Sequence, residues 1–198
     1  MIFKAKKTMD RPKHILITTT KSNSDFEAKP IYEAPYETVV KGSENYVYLV
    51  TNNEEATILQ KLNCWKNTLP QIGLKMKTGL TVDFRNRESL RDREEEGAVY
   101  LARKNPAYNR ISTQNKINFI SGIRELSECT VYGLYVLFNS TLYDVYYRIL
   151  NGSTQVNSTE VNSMPVPPID IIESMGRDLL KSHDMSEAVC DKILENYL

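Results

Sequence analysis

Two periods of apolar residues run along the chain. In the C-terminal third, Val131, Leu134, Phe138, Leu142, Val145 and Ile149 step by three and four, which predicts a helical region from Thr130. Asn151-Gly152 is a suitable stop for it. Pro165, Pro167 and Pro168 then exclude helix and favour an extended segment. Ile172, Met175 and Leu179 predict a helix over 169–181, and Asp184 with Glu187 forms a capping-box pattern for a last helix carrying Val189, Ile193 and Tyr197. Upstream, Asn52 and Glu55 make the same pattern for a helix at 54–64, with Ile58, Leu59 and Leu62 as its apolar face and Pro70 and Gly73 ending the unit.

The other period is short and β-rich. Runs at His14–Thr20, Tyr46–Val50, Leu80–Phe84 and Tyr100–Ala102 predict strands. The first would pair with Met1–Lys6 across Met9-Asp10-Arg11-Pro12, whose Asp and Pro suit a turn. Arg85–Glu96 reads as an exposed loop or short helix, and Asn105-Pro106 as a turn. The pattern predicts an α+β fold: a small twisted, mainly antiparallel sheet with packed helices and a helical C-terminal third.

At 198 residues the chain is long enough to bury its own core as one domain, or one domain with an appendage. Lys and Arg number 25, and so do Asp and Glu, so the formal charge is zero and a nonspecific basic coat for nucleic acid is excluded. A specific reader is not excluded, because charge can segregate onto one face. Cys64, Cys129 and Cys190 are far apart and odd in number, which suits reduced thiols, and two histidines leave little for a zinc site. With neither an apolar run of about 18 residues nor a signal-peptide pattern, a cytoplasmic location and no membrane partner are expected.

Candidate chemistry centres on Lys75 to Arg110. Lys75, Lys77, Arg85, Arg87 and Arg91 could neutralise phosphates, and an arginine could pair with guanine in the major groove. The same stretch holds Asp83, Glu88, Asp92 and Glu94 to Glu96, so a solvated face of mixed charge is the competing reading. Thr78-Gly79 is either a close approach to phosphate or a simple turn. Ser153 and Gln155 are either donors to DNA or groups that satisfy backbone at a helix exit. Asn105-Pro106-Ala107-Tyr108 departs from the Asn-Pro-Pro-Tyr pattern of amino-methyltransferases and lacks a preceding glycine-rich methyl-donor loop. Glu27-Ala28-Lys29 has the E-x-K spacing of a nuclease, with Asp10 as the obvious upstream partner.

Several segments, in their order, carry a resemblance. They are Ala34–Val40, Gly73–Gly79 followed by Val82–Arg87 and Leu90–Asp92, Ser112–Phe119, Phe138–Tyr143, Asn151–Asn157 and Met164–Pro168. Together they resemble the C-terminal target recognition domains of adenine-specific DNA methyltransferases in bacterial restriction-modification systems. More loosely, they are similar to the recognition units of type I specificity subunits. The resemblance implies residues 1–40 as a hairpin and linker from the junction to a catalytic domain, and 41–198 as a recognition-like domain.

The resemblance also implies double-stranded DNA and a methyltransferase catalytic domain or subunit as partners, with no methyl transfer by this chain alone. Lys75, Lys77, Thr78, Gly79, Arg85, Arg87, Arg91, Ser153 and Gln155 are the expected DNA-binding residues. No cofactor is expected in this chain, and S-adenosylmethionine is implied for the catalytic domain. Between Val99 and Tyr100 the family usually carries a long insertion of strands that this chain lacks. The alternatives are a helical docking module, using 130–150 and 169–197, and a restriction endonuclease.

Overall fold

A computed structural model describes residues 10–18, 31–41, 46–79, 100–101, 111–112, 117–151 and 156–198. The order is β1 (His14–Thr18), β2 (Ile31–Pro35), α1 (Tyr36–Val39), β3 (Val40–Lys41), β4 (Tyr46–Val47), α2 (Asn53–Leu62), a 3-10 turn (Pro70–Ile72) and β5 (Leu74–Thr78). It continues with β6 (Tyr100–Leu101), β7 (Ile111–Ser112), β8 (Asn118–Gly122), α3 (Glu128–Phe138), α4 (Thr141–Asn151), α5 (Ser158–Val161), α6 (Ile169–Ser182) and α7 (Glu187–Glu195). This is an α+β fold. Among the described residues no helix is long and apolar enough to cross a membrane.

The strands pair two by two. Among the described residues β1–β2, β3–β4 and β5–β8 are antiparallel and β6–β7 is parallel, so the pairing is mainly antiparallel, as expected, in two-stranded ladders. The partner found for β1 is β2, with His14 opposite Pro35 and Thr18 opposite Ile31; Met1–Lys6 lie outside the described residues. The second predicted strand shrinks to Tyr46–Val47: the Tyr48 amide still reaches Val39 across the ladder, but the Leu49 amide turns to Ile149 at the end of α4. The Leu80–Phe84 strand and the Arg85–Glu96 segment lie outside the described residues.

α2 begins where its cap pattern places it. Asn52 Oδ1 accepts from the Glu55 amide at 2.9 Å, while the Glu55 carboxylate accepts from the Thr51 amide at 2.6 Å rather than from Asn52. Leu59 and Leu62 carry it into the core. α7 starts later than expected: Ser186 is its N-cap, and Asp184 Oδ1 accepts from the Ser186 amide at 2.9 Å.

The helical region after Thr130 is broken into two helices. At Ser140 the side chain donates to the Leu137 carbonyl at 2.9 Å, and the chain turns. Asp191 of α7 then accepts from the Thr141 amide at 2.6 Å and from its hydroxyl at 2.7 Å, so α7 caps α4. The turn rotates the second helix. Tyr143, Tyr146, Tyr147 and Ile149 face the core, whereas Leu142 and Val145 are half-buried and Val131 is exposed.

α3 and α6 meet almost backbone to backbone. A Cβ built on Gly133 would stand 1.9 Å from the Ile172 carbonyl oxygen, and one on Gly176 would stand 1.9 Å from that of Cys129. This crossing, with Leu134, Leu137, Ile172, Met175 and Leu179, forms the centre of the core. The β5–β8 ladder attaches to its side through Leu74, Met76 and Ile120.

Candidate nucleic-acid interface

β5 and β8 form a two-stranded ribbon with Lys75 opposite Ser121, Met76 opposite Ile120, Lys77 opposite Phe119 and Thr78 opposite Asn118. Alternate residues of a strand point to opposite faces, and directly opposed residues share a face. Leu74, Met76 and Ile120 therefore turn to the core. Lys75 and Lys77 turn outward with Phe119 and Ser121, and both lysines are exposed. The Ile123 amide donates to Gly73 O and the Gly79 amide to Ile117 O, both at 2.9 Å, so Ile117 and Ile123 extend the outer face at either end. Ile117 is 36% exposed, Phe119 37% and Ile123 88%. Among the described residues neither lysine has an ion-pair partner.

The free edge of β5 is closed by one side chain. Asn162, just after α5, accepts from the Met76 amide at 2.8 Å and donates to the Met76 carbonyl at 2.9 Å. Its amide group thus supplies both bonds of a neighbouring strand and leaves the lysine face uncovered. An edge blocked in this way is also protected from pairing with a foreign strand.

Thr78 and Gly79 stand at the end of the ribbon remote from Gly73. The Thr78 hydroxyl donates to Asn118 Oδ1 at 2.8 Å, and Asn118 in turn donates to the Val156 carbonyl at 3.1 Å. Gly79 is buried, and its amide is committed to Ile117. Thr78 thus ties the ribbon end to the segment entering α5, while Gly79 extends the ladder by one bond. Arg85, Arg87, Arg91, Ser153 and Gln155 lie outside the described residues, as do Glu27, Lys29 and Asn105 to Tyr108.

Phe119, Ser121, Ile123 and Asn162 were not singled out from the sequence. A signal for the ribbon was present in Leu74-Lys75-Met76-Lys77, whose strict alternation is that of a strand with one buried face. The pairing partner forty residues on had no comparable local signal.

At the Gly73–Ile123 end the ribbon borders a groove of about 500 Å³. Ile72, Leu74, Leu126 and Ile169 wall it, and Arg124 lies at its edge. Ser127 and Thr130 place their hydroxyls 3.1 and 3.2 Å from Glu173 Oε1 and 2.8 Å from each other. Ser127 also caps α3, accepting from the Thr130 amide at 3.1 Å.

The three cysteines are free thiols, with Cys64 exposed and Cys190 buried. Burial, aided by the Asp191, Asp184 and Glu187 carboxylates, pushes the Cys190 thiol above its ordinary range. It is therefore poorly suited to act as a nucleophile.

Two curated proteins resemble the chain. One is a type II methyltransferase, M.BsuBI, of Bacillus subtilis, 27% identical with 89% of this chain and 48% of that protein covered. The other is a type II methyltransferase, M.PstI, of Providencia stuartii, 23% identical with 75% of this chain and 42% of that protein covered. The chain is thus related, at low identity, to restriction-modification methyltransferases and spans about half their length. The first match runs over 241 residues, more than the 198 of the chain, so the two differ by insertion within the matched region. No protein-family model matches the chain, and no solved structure matches it.

Proposed function

We propose that this chain is the DNA target recognition part of a restriction-modification N6-adenine methyltransferase. It would hold duplex DNA for a catalytic part that lies outside the 198 residues. The observation that carries the reading is the outer face of the β5–β8 ribbon, where Lys75 and Lys77 stand unpaired among the described residues beside Phe119 and Ser121. A two-stranded ribbon fits the major groove of B-form DNA. Lysines along it neutralise phosphates, while hydroxyl and aromatic groups between them reach base edges and thymine methyls. The relatives support the setting, since both are named as methyltransferases and both are about twice as long as the matched part.

In this reading Lys75 and Lys77 contact DNA, Thr78 and Gly79 shape the ribbon, and Arg85, Arg87, Arg91, Ser153 and Gln155 are proposed contacts outside the described residues. S-adenosylmethionine would bind the catalytic part. Residues 1–40 would join the two parts. The β1–β2 ladder favours a docking role for that region: Ile15, Ile17, Tyr32 and Ala34 share one face, yet Leu16 and Ile31 on the other are each 66% exposed. Such two-faced apolar character suits contact with a second protein body.

The test is selection of a random duplex library on the purified chain at low salt, followed by sequencing after a salt wash. A short enriched motif is the expected result. Retention without any motif would reduce the chain to a scaffold, and no retention would remove DNA from its partners.

A further inference from the structure

We propose that the β8 row of the ribbon's outer face reads thymine methyl groups in the major groove, with Phe119 and Ile123 as specificity-determining residues, so that the recognised sequence contains A·T pairs. The inference rests on the ribbon's being a DNA reader and names what it reads. The register divides the outer face into two unlike rows. β5 contributes Lys75 and Lys77 between two glycines, and β8 contributes Ile117, Phe119, Ser121 and Ile123. The charge stands on one row and the apolar side chains on the other. The rows lie about 4.8 Å apart, so both fit within a major groove about 12 Å wide.

Phe119 stands directly opposite Lys77, and Ser121 opposite Lys75, so a ligand that covers the apolar row also meets two cations unpaired among the described residues. Duplex DNA offers both partners. Phosphates line the groove, and among the four bases only thymine presents an apolar group there, its C5-methyl. The Ser121 hydroxyl can donate or accept and adds no preference of its own. Ile123 is held in place: its amide donates to Gly73 O at 2.9 Å, and its Cδ1 lies 3.6 Å from where a Cβ on Gly73 would stand, so the side chain leans across the ladder. The inner face is committed elsewhere. Leu74 is buried, Met76 and Ile120 pack on the core, and Asn118 is tied to Thr78 and Val156.

The experiment takes the duplex most enriched from a random library by the full chain and remakes it with uracil at every thymine, which deletes the methyl groups and keeps every hydrogen-bonding edge. The enriched motif should contain A·T pairs, and the uracil duplex should bind about fourfold more weakly for each methyl the row covers. Phe119→Ala and Ile123→Ala should each bring the thymine-to-uracil ratio toward one. Lys75→Ala/Lys77→Ala should weaken both duplexes and keep the ratio, since phosphates are the same in both. Thermal melting of each variant confirms that it is folded, and Ile123, 88% exposed, can be truncated without disturbing the core.

Equal binding of the thymine and uracil duplexes by the unmodified chain, or a motif without A·T pairs, would overturn the thymine reading and leave DNA recognition intact. A ratio unchanged in both Phe119→Ala and Ile123→Ala would also overturn it, because the methyls would then be read by other residues. Retention without any motif would remove base reading altogether. Failure to bind any duplex would overturn the DNA reading, and the thymine contact with it.

Discussion

Three tyrosines of α4 show how single residues hold this fold. Each is buried, and each hydroxyl has a partner. Tyr143 donates to the Pro165 carbonyl at 3.2 Å, Tyr146 donates to Asn63 Oδ1 at 2.9 Å and meets the Tyr48 hydroxyl at 3.2 Å, and Tyr147 accepts from the Asn157 amide at 2.7 Å. Burial pushes the Tyr143 and Tyr146 phenols far above their ordinary value of 10.0. In the unfolded chain they ionise near that value, whereas in the folded chain they stay neutral. Above pH ~10 the unfolded state therefore binds fewer protons than the native state, and stability falls as pH rises. Each phenol should contribute a slope of up to about 1.4 kcal/mol per pH unit, and below pH ~9 this contribution is constant. Urea midpoints measured from pH 8 to 11 check it: Tyr143→Phe or Tyr146→Phe should flatten the alkaline fall.

Gly133 and Gly176 act at the same scale by having no side chain. The Ile172 carbonyl oxygen, 1.9 Å from a Cβ on Gly133, belongs to helix backbone and cannot swing aside as a side chain would. Gly133→Ala must therefore separate α3 from α6, at a cost of about 3 kcal/mol. A chemical denaturation curve would show it as a lower midpoint. An unchanged midpoint would mean that the crossing is looser than described.

At the scale of elements, Asn162 offers the sharpest test. It replaces a whole strand at the free edge of β5. Asn162→Ala leaves the Met76 amide and carbonyl without that partner and should cost about 1–3 kcal/mol. Hydrogen exchange of the Met76 amide should accelerate, while exchange of the Lys75 and Lys77 amides, which face β8, should change less. Equal acceleration across β5 would show that the ladder opens as a unit.

The same elements show what local sequence could and could not reveal. α2 was legible because one apolar stripe and one start signal fall inside its window, and α6 because its apolar stripe follows directly on the proline stop. The α3–α4 break was not, since the spacing from Phe138 to Leu142 continues the helical period across Ser140. What ends α3 there is a hydroxyl bonded back to Leu137, and what starts α4 is a cap from Asp191, fifty residues away. The lysines of the ribbon were legible as charge. Their common face was not, because it depends on a register with β8 that no local pattern fixes.

Taken as a whole molecule, the chain has no net charge to attract DNA, so any affinity must come from where its charges stand. The ribbon presents two exposed lysines on one face, with its edge sealed and its other face buried in the core. The chain also spans about half the length of the methyltransferases it matches, and its β1–β2 hairpin turns Leu16 and Ile31 outward. These features fit a reader that orients a substrate for chemistry performed elsewhere.

The most direct test of that claim is the salt dependence of duplex binding by the unmodified chain and by Lys75→Ala/Lys77→Ala. Each lysine on a phosphate contributes close to 0.9 to the slope of log affinity against log salt. The double variant should therefore bind more weakly and lose about 2 from the magnitude of that slope, with its melting temperature unchanged. The same slope in both proteins would contradict the account and place the DNA contacts, if there are any, off the ribbon.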